Sequence, residues 1–308
     1  MGRHLTGITS SSAGRTTALL GLLGWAVCRI FCLDFARRAS QTASKQDILP
    51  ETDPTFAESL SIFAMKILVC ISQVPDTTTK INFKDNDTAF NEAGVLFIAN
   101  PYDEWYALVR AVELKESTGG EVTVINVGPA ANEQVIRKCL AICADKAIRV
   151  DTDPKDALYV ARQIAAHAGD ADMVLLGKET IDYNGSVLGG MIAELLGRPY
   201  ISLSSKLEVD GDKATITRDT EGGKEILSVA MPFVASAQKG MAEARIPNMR
   251  GIMQARSKPL EVVAPIAAEA GSRFVKFELP PAKGAVTLVD PENMDELVRM
   301  LHEDAKVI

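Results

Sequence analysis

Two loops of the sequence carry residue types that suit the binding of an anion. The longer loop, Gly177–Ser186, follows the apolar run Met173–Leu176 and leads into a stretch with helical spacing. The first N–H groups of a helix have no partner within the helix and hold phosphates well. Gly185 allows close approach, and Ser186 offers a hydroxyl donor. A plain capping turn would have the same residues, so both interpretations stay open at this point.

The second loop, Ala99–Glu104, has a weaker signal. Pro101 suits the first position of a helix, and Asn100 suits the cap before it. On composition alone, the start of a helix without any ligand is the favoured interpretation.

The sequence contains none of the common nucleotide or metal motifs. Neither G-x-G-x-x-G nor G-x-x-x-x-G-K-[ST] occurs, and Gly222–Lys224 lacks the other residues of the second pattern. There is no C-x-x-C and no H-E-x-x-H. Cys139 and Cys143 are four residues apart on one predicted helix face. Without a second pair we expect both to be structural, and no metal site is predicted.

Strands and helices alternate after Met65. Four apolar runs without polar alternation predict strands buried on both faces, as in a parallel sheet covered by helices. These runs are Lys66–Ile71, Glu121–Val127, Ala147–Val150 and Met173–Leu176. Helices are predicted at Pro101–Ser117, Asn132–Cys143, Asp156–Ala168 and Gly189–Leu196. The predicted fold class is α/β, a parallel sheet with helices on both faces.

The last third of the chain changes character. Asp210–Asp212 is a tight turn between the strands Lys206–Val209 and Lys213–Arg218, which predicts a hairpin. Further short strands are predicted at Ile226–Ala230 and Phe233–Ala237.

No hydrophobic period follows in Gly240–Pro259, which we expect to be irregular. Ala264–Lys283 is rich in Ala and Pro and is typical of an extended arm. A last helix runs to about Ala305, with Asp290 as its N-cap and Pro291 at its first position. We therefore expect an α/β domain over 65–260, including a loop at 240–260, and a C-terminal arm and helix over 261–308.

The composition is that of an ordinary globular protein. The 308 residues are 47% hydrophobic and 24% charged, which provides enough apolar surface for a core and excludes a disordered or collagen-like chain. A net charge of −7 argues against nucleic acid as a partner. Five cysteines are too few for a disulfide framework and indicate a reducing compartment.

Residues 1–64 differ from the rest of the chain. They begin with a basic, acid-free stretch around the apolar run Ala18–Cys28, which is too short to span a membrane as a helix. Three interpretations remain: a secretory signal, an organellar targeting sequence, or a disordered extension ahead of the true start. The last is favoured, because MKILVCISQVPD from Met65 reads as a natural protein beginning. The expected location is the cytoplasm, or the mitochondrial matrix if 1–64 is a targeting sequence.

Six short segments after Met65 follow one another in a characteristic order. They are KILVCISQVPD (Lys66–Asp76), NPYDE (Asn100–Glu104), VGP (Val127–Pro129), LLGKETID (Leu175–Asp182), RDTEGGKE (Arg218–Glu225) and GIMQARSKPL (Gly251–Leu260). In this order and spacing the chain resembles the β subunits of electron transfer flavoproteins. The resemblance covers nearly all of 65–308 and none of 1–64.

This resemblance implies a fold, a partner and cofactors. It implies an adenine nucleotide alpha hydrolase-like (Rossmann-like) domain, an α subunit that carries most of the FAD contacts, and a structural AMP in this chain. Tyr102 falls where the family has an aromatic residue near the flavin edge across the subunit interface. Ligand binding thus becomes the favoured interpretation of both loops. The implied cofactor-binding residues are Cys70, Asn100, Pro101, Tyr102, Asp103, Val127, Gly177, Lys178, Ile181, Asp182, Tyr183, Asn184, Gly185, Ser186, Val187 and Leu188.

The longer loop departs from the family at one position. The family has polar residues such as Gln near the phosphates, whereas Val187 stands here between Ser186 and Leu188. Backbone N–H groups and Ser186 would hold a phosphate with fewer donors. The nucleotide is therefore AMP or, as in electron-bifurcating relatives, a second FAD.

The resemblance also implies a recognition loop for partner dehydrogenases at Ala244–Gln254, with Met249 at the position of the family's exposed Leu. The surrounding stretch Gly240–Leu260 has four basic residues against one acid, Glu243, which suits an acidic partner surface. A mobile surface loop without a partner is the alternative. The residues expected to meet a partner are Arg245, Met249, Arg250 and Arg256.

The expected function is that of an electron carrier subunit rather than a stand-alone enzyme, and no catalytic residue is predicted. The resemblance implies that electrons pass from acyl-CoA dehydrogenase or a similar dehydrogenase to FAD, and then to a quinone oxidoreductase or another acceptor. The alternatives are an electron-bifurcating β subunit, a nucleotide-binding regulatory module, and a nucleotide-hydrolysing or adenylating enzyme. The last needs a phosphate-activating loop after the first strand, which Ser72–Asp76 lacks.

Overall fold

The computed structural model describes residues 65–282 and 284–308, so the expectations for 1–64 lie outside the described residues. The strands are β1 (Lys66–Cys70), β2 (Gln73–Pro75), β3 (Phe83–Lys84), β4 (Ala89–Phe90), β5 (Phe97–Ala99), β6 (Glu121–Val127), β7 (Lys146–Val150), β8 (Met173–Gly177), β9 (Tyr200–Asp210), β10 (Lys213–Thr220), β11 (Gly223–Ala230), β12 (Phe233–Ala237) and β13 (Leu260–Val263). The α-helices are α1 (Asp103–Thr118), α2 (Glu133–Ala141), α3 (Ala157–Ala165), α4 (Leu188–Leu196), α5 (Met249–Ala255) and α6 (Met294–Arg299).

A single large sheet organises the fold, with strand order β11-β10-β9-β12-β8-β1-β6-β7-β13. Seven neighbouring strands are parallel to one another, namely β9, β12, β8, β1, β6, β7 and β13. Strand β10 is antiparallel to both β9 and β11. The pairs β2-β5 and β3-β4 form two small separate sheets. The predicted α/β class, with a mostly parallel sheet and a hairpin near its end, is confirmed.

Both faces of the sheet are covered, which explains why its central strands show no polar alternation. Along β1, Ile67 and Val69 pack into one core cluster, and Leu68 and Cys70 into the other. The first cluster includes side chains of α1 and α2, and the second includes side chains of α3 and α4. The helices therefore lie on both faces, as the continuous apolar runs predict.

The order of the strands places a crevice beside β1. The chain runs from β1 to β6 and β7 on one side, and then crosses to β8 and β12 on the other side. At such a switch point, the loops beyond the carboxyl ends of the strands diverge and leave room for a ligand. The ends of β8, β1 and β6 therefore form the floor of the site described below.

The start of α1 differs from the prediction. The helix begins at Asp103, and Tyr102 rather than Asn100 occupies the position before it. The side chain of Asn100 bonds to the backbone of Glu179 and Ile181, so it is not available as a cap. Tyr102 has a φ of 66°, an unfavourable value for a bulky side chain.

The last helix also begins later than predicted. The side chain of Asn293 caps α6 by accepting from the Glu296 N–H at 3.2 Å. Asp290 accepts from the Glu292 N–H at 3.0 Å and makes a turn before the helix. The prediction of Asp290 as N-cap is therefore wrong, because its carboxylate accepts from an N–H two residues ahead and forms a turn that ends before the helix begins.

Two further segments are more ordered than expected. The stretch 240–259 contains α5, whose inward residues, Gly251 and Ala255, are too small to give a hydrophobic period. Leu260–Val263 forms β13 at the edge of the sheet, so the sheet continues beyond residue 260.

Cys139 and Cys143 do not share a helix face. Helix α2 ends at Ala141, and Cys143 follows it with a φ of 96°. Cys139 is buried and Cys143 is exposed.

Candidate functional site

A cavity of about 540 Å³ opens at the carboxyl ends of β8, β1 and β6. These strands contribute Gly177, Cys70 and Val127 to its lining. Val160 and Ile164 of α3 add an apolar wall. A volume of this size with an apolar lining and a few polar groups is typical of a small-ligand site.

The start of α4 forms one border of this cavity, where Gly185–Leu188 line it. Positive φ angles of 50° at Asn184 and 52° at Ser186 turn the chain into the helix. Val187 occupies the cap position and supplies no side-chain cap. The first N–H groups of α4 are therefore suited to bind an anion, and the helix dipole favours negative charge there.

The hydroxyl of Ser186 is already engaged in this structure. It donates to Oε2 of Glu179 at 2.8 Å, and Lys178 Nζ lies 2.8 Å from Oε1 of the same carboxylate. The Lys178 ammonium, with a smaller contribution from Ser186, lowers the pKa of Glu179. The loop thus carries an ionised but paired carboxylate, and backbone N–H groups remain as its main anion donors.

Asn100 braces the same loop from below. Its Nδ2 donates to the carbonyl of Glu179 at 2.9 Å, and its Oδ1 accepts from the Ile181 N–H at 3.1 Å. Asn100 is almost fully buried. Its amide therefore fixes the loop and is positioned to support the site rather than to touch a ligand.

Glu104 is a buried carboxyl group that the sequence analysis missed. It lines the cavity and accepts from the Ser72 N–H at 2.6 Å. Gly177 packs against it so closely that a Cβ there would lie 2.7 Å from Glu104 Cγ. Burial raises the pKa of Glu104 to about 8 despite its hydrogen bonds. The group is therefore mostly protonated at neutral pH and does not repel an anion.

Two buried amides, Asn126 and Asn132, also line the cavity. Asn126 Nδ2 donates to the carbonyl of Ile71 at 2.8 Å, and Asn132 Nδ2 donates to Asn126 Oδ1 at 2.9 Å. The Ile71 carbonyl can only accept, so the orientation of both amides is determined. Within the described residues Asn132 Oδ1 has no donor, and it remains as an acceptor for a ligand.

Cys70 lies on the cavity floor as a neutral thiol. It is almost fully buried, and burial, with a smaller effect of the Glu104 charge, raises the pKa of its thiol. A protonated thiol is a poor nucleophile, so Cys70 contributes shape and apolar surface.

The structure divides the sixteen residues expected to bind a cofactor between two cavities. Those lining the large cavity are Cys70, Val127, Gly177, Lys178, Asp182, Tyr183, Gly185, Ser186, Val187 and Leu188. Those lining a second cavity of about 280 Å³ are Pro101, Tyr102, Asp103, Ile181 and Asn184. Asn100 lies between them as the brace described above. The ring of Tyr102 is exposed at the second cavity.

Helix α5 presents a separate exposed surface. Its inner residues Gly251 and Ala255 are buried, whereas Met249 and Met253 are 74% and 70% exposed. Just before the helix, Ile246 is also exposed. We call these exposed side chains of 246–253 the α5 surface.

The basic residues near the α5 surface have different surroundings. Arg250 and Arg256 are exposed, and neither forms an ion pair within the described residues. Arg245, in contrast, makes two bonds of 2.8 and 3.0 Å to the carboxylate of Glu116 on α1. Lys258 donates to two backbone carbonyls near the end of α2. The charge expected for a partner is thus carried by Arg250 and Arg256, while Arg245 and Lys258 hold the segment in place.

The described part of the chain has neither a metal cluster nor a membrane-spanning helix. No group of three or more His, Cys, Asp or Glu side chains in this part of the chain is arranged to hold a metal ion. No helix in the same part is long and apolar enough to cross a membrane.

Comparisons with known proteins identify the family of the chain. The family model for the electron transfer flavoprotein domain matches residues 87–268. A protein of Syntrophomonas wolfei named electron transfer flavoprotein subunit beta is 37% identical over 74% of this chain and 91% of its own length. Proteins of the same name from Bacillus subtilis and Homo sapiens are 34% and 33% identical, each over 79% of this chain and 100% and 99% of their own lengths. The chain therefore belongs to the family of electron transfer flavoprotein β subunits.

Proposed function

We propose that this chain pairs with an α subunit to form an electron transfer flavoprotein in which FAD is held mainly by the α subunit. The large cavity of this chain takes AMP as a structural ligand. The observation that carries the proposal is the cavity itself, which joins an uncapped helix start for one phosphate to an apolar wall for a nucleoside.

The small number of free donors around the cavity favours one phosphate over two. Its lining includes two lysines, Lys155 and Lys178, and the latter is paired with Glu179. Asp156 and Asp182 add further negative charge. A pyrophosphate, as in a second FAD, brings the oxygens of two phosphates to a single helix start, and Val187 offers no side-chain amide for them. AMP is therefore the better occupant, and the electron-bifurcating alternative is the weaker one.

The chain acts as an electron carrier subunit rather than a stand-alone catalyst. FAD supplies the electron-accepting chemistry when it is bound. The residues of this chain hold the nucleotide, keep Cys70 protonated, and present the ring of Tyr102 at the second cavity.

The α5 surface is the docking site for partner enzymes in this proposal. Its exposed apolar side chains and the cations Arg250 and Arg256 suit an acidic, partly apolar surface on acyl-CoA dehydrogenase or a similar donor. A quinone oxidoreductase is the proposed acceptor. Three free cysteines in the described residues suit a reducing compartment, the cytoplasm or the mitochondrial matrix.

The test is a count of cofactors. The full-length chain is produced together with its α subunit, the complex is denatured, and the released compounds are identified by mass. We expect one FAD and one AMP per heterodimer, and a colourless preparation when this chain is purified alone. Two FAD and no AMP would contradict the assignment of AMP and support the bifurcating class.

A further inference from the structure

The C-terminal arm, residues 264–282, crosses the mouth of the large cavity. It is anchored on α3 at three points, one of which is a bond of 3.0 Å from Arg162 Nη1 to the Glu269 carbonyl. Gln163, which is fully buried, donates to the Ile266 carbonyl at 3.0 Å and accepts from the Ile266 N–H at 2.8 Å. Asp156 accepts from the N–H of Ser272 at 2.6 Å and from its hydroxyl at 3.2 Å.

Beyond these anchors the arm continues into a row of stacked rings. Phe274 lies 5.1 Å from Tyr183 and 5.3 Å from Phe277, measured between ring centroids. Phe277 in turn stacks on Phe83 of β3 at 5.0 Å. The row connects the arm with the loop after β8 on one side and with the hairpin β3-β4 on the other.

Two residues of the arm, Ser272 and Phe274, line the cavity. The anchors at Gln163 and Asp156 hold the arm without using the ring of Phe274. Phe274 is 58% exposed, and unlike Val275 and Leu279, which are also exposed, it lines the cavity. A ligand in the cavity would cover this apolar surface.

We propose that Phe274 is a nucleotide-binding residue, and that the arm is the outer wall of the site. The inference rests on the proposed function, because it takes AMP as the occupant. The phosphate occupies the start of α4, so the nucleoside extends towards the apolar side of the cavity. There the ring of Phe274 packs against the nucleoside opposite Val160 and Ile164.

The arm restricts the exchange of the bound nucleotide. The nucleotide leaves only after the arm moves away from α3, which breaks the bonds at Ser272. Bound AMP should therefore exchange slowly with AMP in solution, and loss of the Phe274 ring should speed the exchange.

The experiment measures that exchange on the full-length chain produced with its α subunit. Purified complex is mixed with isotope-labelled AMP, and the loss of unlabelled AMP from the protein is followed by mass spectrometry. Phe274→Ala should exchange on the order of ten-fold faster, as expected for the loss of one apolar ring that packs against the nucleoside. Phe274→Tyr, which keeps a ring, should exchange at the original rate.

Val275→Ala is the matched control, because Val275 is the next residue of the arm, is 72% exposed, and does not line the cavity. Equal exchange rates for Phe274→Ala and Val275→Ala would overturn the inference and leave the proposed function intact. If Phe274→Ala does not fold, Phe274→Leu replaces it, and an unchanged rate there would count equally against the inference. An unaltered complex without AMP would overturn the proposed function, and this inference with it.

Discussion

The large cavity and the α5 surface use apolar side chains in opposite ways. In the cavity, apolar groups such as Val160 and Ile164 form an inward wall, and buried polar groups are fixed by hydrogen bonds. On α5, the small residues face inward and the large apolar residues face outward. In the proposed function, the first region encloses a small ligand and the second meets the surface of another protein.

A close helix contact explains the inverted pattern of α5. A Cβ on Gly251 would lie 2.3 Å from the carbonyl oxygen of Ala141, so α5 packs directly on the end of α2. No room remains there for large side chains, and Met249 and Met253 must face solvent. Contiguous exposed apolar groups of this kind mark interaction sites, and methionine adapts to partners of different shape. Substitution of the polar groups of the cavity should therefore lower the free energy of unfolding. Substitution of the exposed residues of α5 should leave the free energy of unfolding nearly unchanged and weaken docking.

The largest expected effect concerns Glu104 in the cavity wall. Burial raises its pKa to about 8 in the folded chain, from an ordinary value of 4.5. The folded state therefore binds more protons than the unfolded state between these values, and the free energy of unfolding should fall as pH rises from about 5 to about 8, by up to a few kcal/mol. Glu104→Gln, which is neutral throughout, should remove most of this fall.

Urea unfolding at pH 5 and pH 8 measures the effect. Glu121→Gln is the control, because Glu121 is a half-buried residue at the start of β6 that pairs with Lys146 away from the cavity, and it should keep the slope of the unaltered chain. If the slope persists in Glu104→Gln, the carboxyl is not the group that titrates.

The next effect concerns the amides of the cavity. Asn132→Leu leaves Asn126 Oδ1 buried without a donor and should lower the free energy of unfolding by about 1–3 kcal/mol. It should also reduce the AMP retained after purification. Replacing both Asn126 and Asn132 by Leu should lower the free energy of unfolding by less than the sum of the two single changes. In the double variant both partners of the Asn126–Asn132 hydrogen bond are gone, so neither is left buried without the other. Additive costs in urea unfolding would show that the two amides are not coupled.

Met249→Ala tests the docking role of the α5 surface. Electron transfer from a partner dehydrogenase should slow by about ten-fold, because an exposed apolar anchor is lost. The free energy of unfolding should change by less than about 0.5 kcal/mol. Ile226→Ala on β11 is the matched control, since Ile226 and Met249 are both 74% exposed. A loss of rate in both variants, or in neither, would refute a specific docking role for α5.

The smallest effect is expected at Ser186. Its hydroxyl donates to Glu179 and is not free for a phosphate. Ser186→Ala should therefore change AMP exchange by no more than about two-fold, a fraction of one hydrogen bond. A ten-fold change in exchange would indicate that the hydroxyl turns towards the nucleotide when it is bound.

Much of the site was predictable from local patterns, and the missing parts share one cause. Cys70, Val127 and Gly177 stand at the ends of buried strands, and the loop Gly185–Leu188 precedes a helix, so their place at one edge of the sheet follows from the α/β pattern. Asn126 carried a usable signal, because it is a polar residue near the end of an apolar strand. The sequence does not indicate Ser272 and Phe274, since the arm follows the strands that form the cavity by 97 residues (from Gly177) to 204 residues (from Cys70) at Phe274.

The sequence by itself determined the fold class, the edge of the sheet where the large cavity opens, and the family to which the chain belongs. These depend on residue patterns and short segments, and hydrophobic periodicity reflects burial on one or both faces. Only the tertiary structure decided that Asn100 is a brace, that Arg245 is bound to Glu116, and that the expected residues serve two cavities. The physical reason is that hydrogen bonds and ion pairs determine what a polar side chain can bind, and the partners in these bonds come from distant parts of the chain.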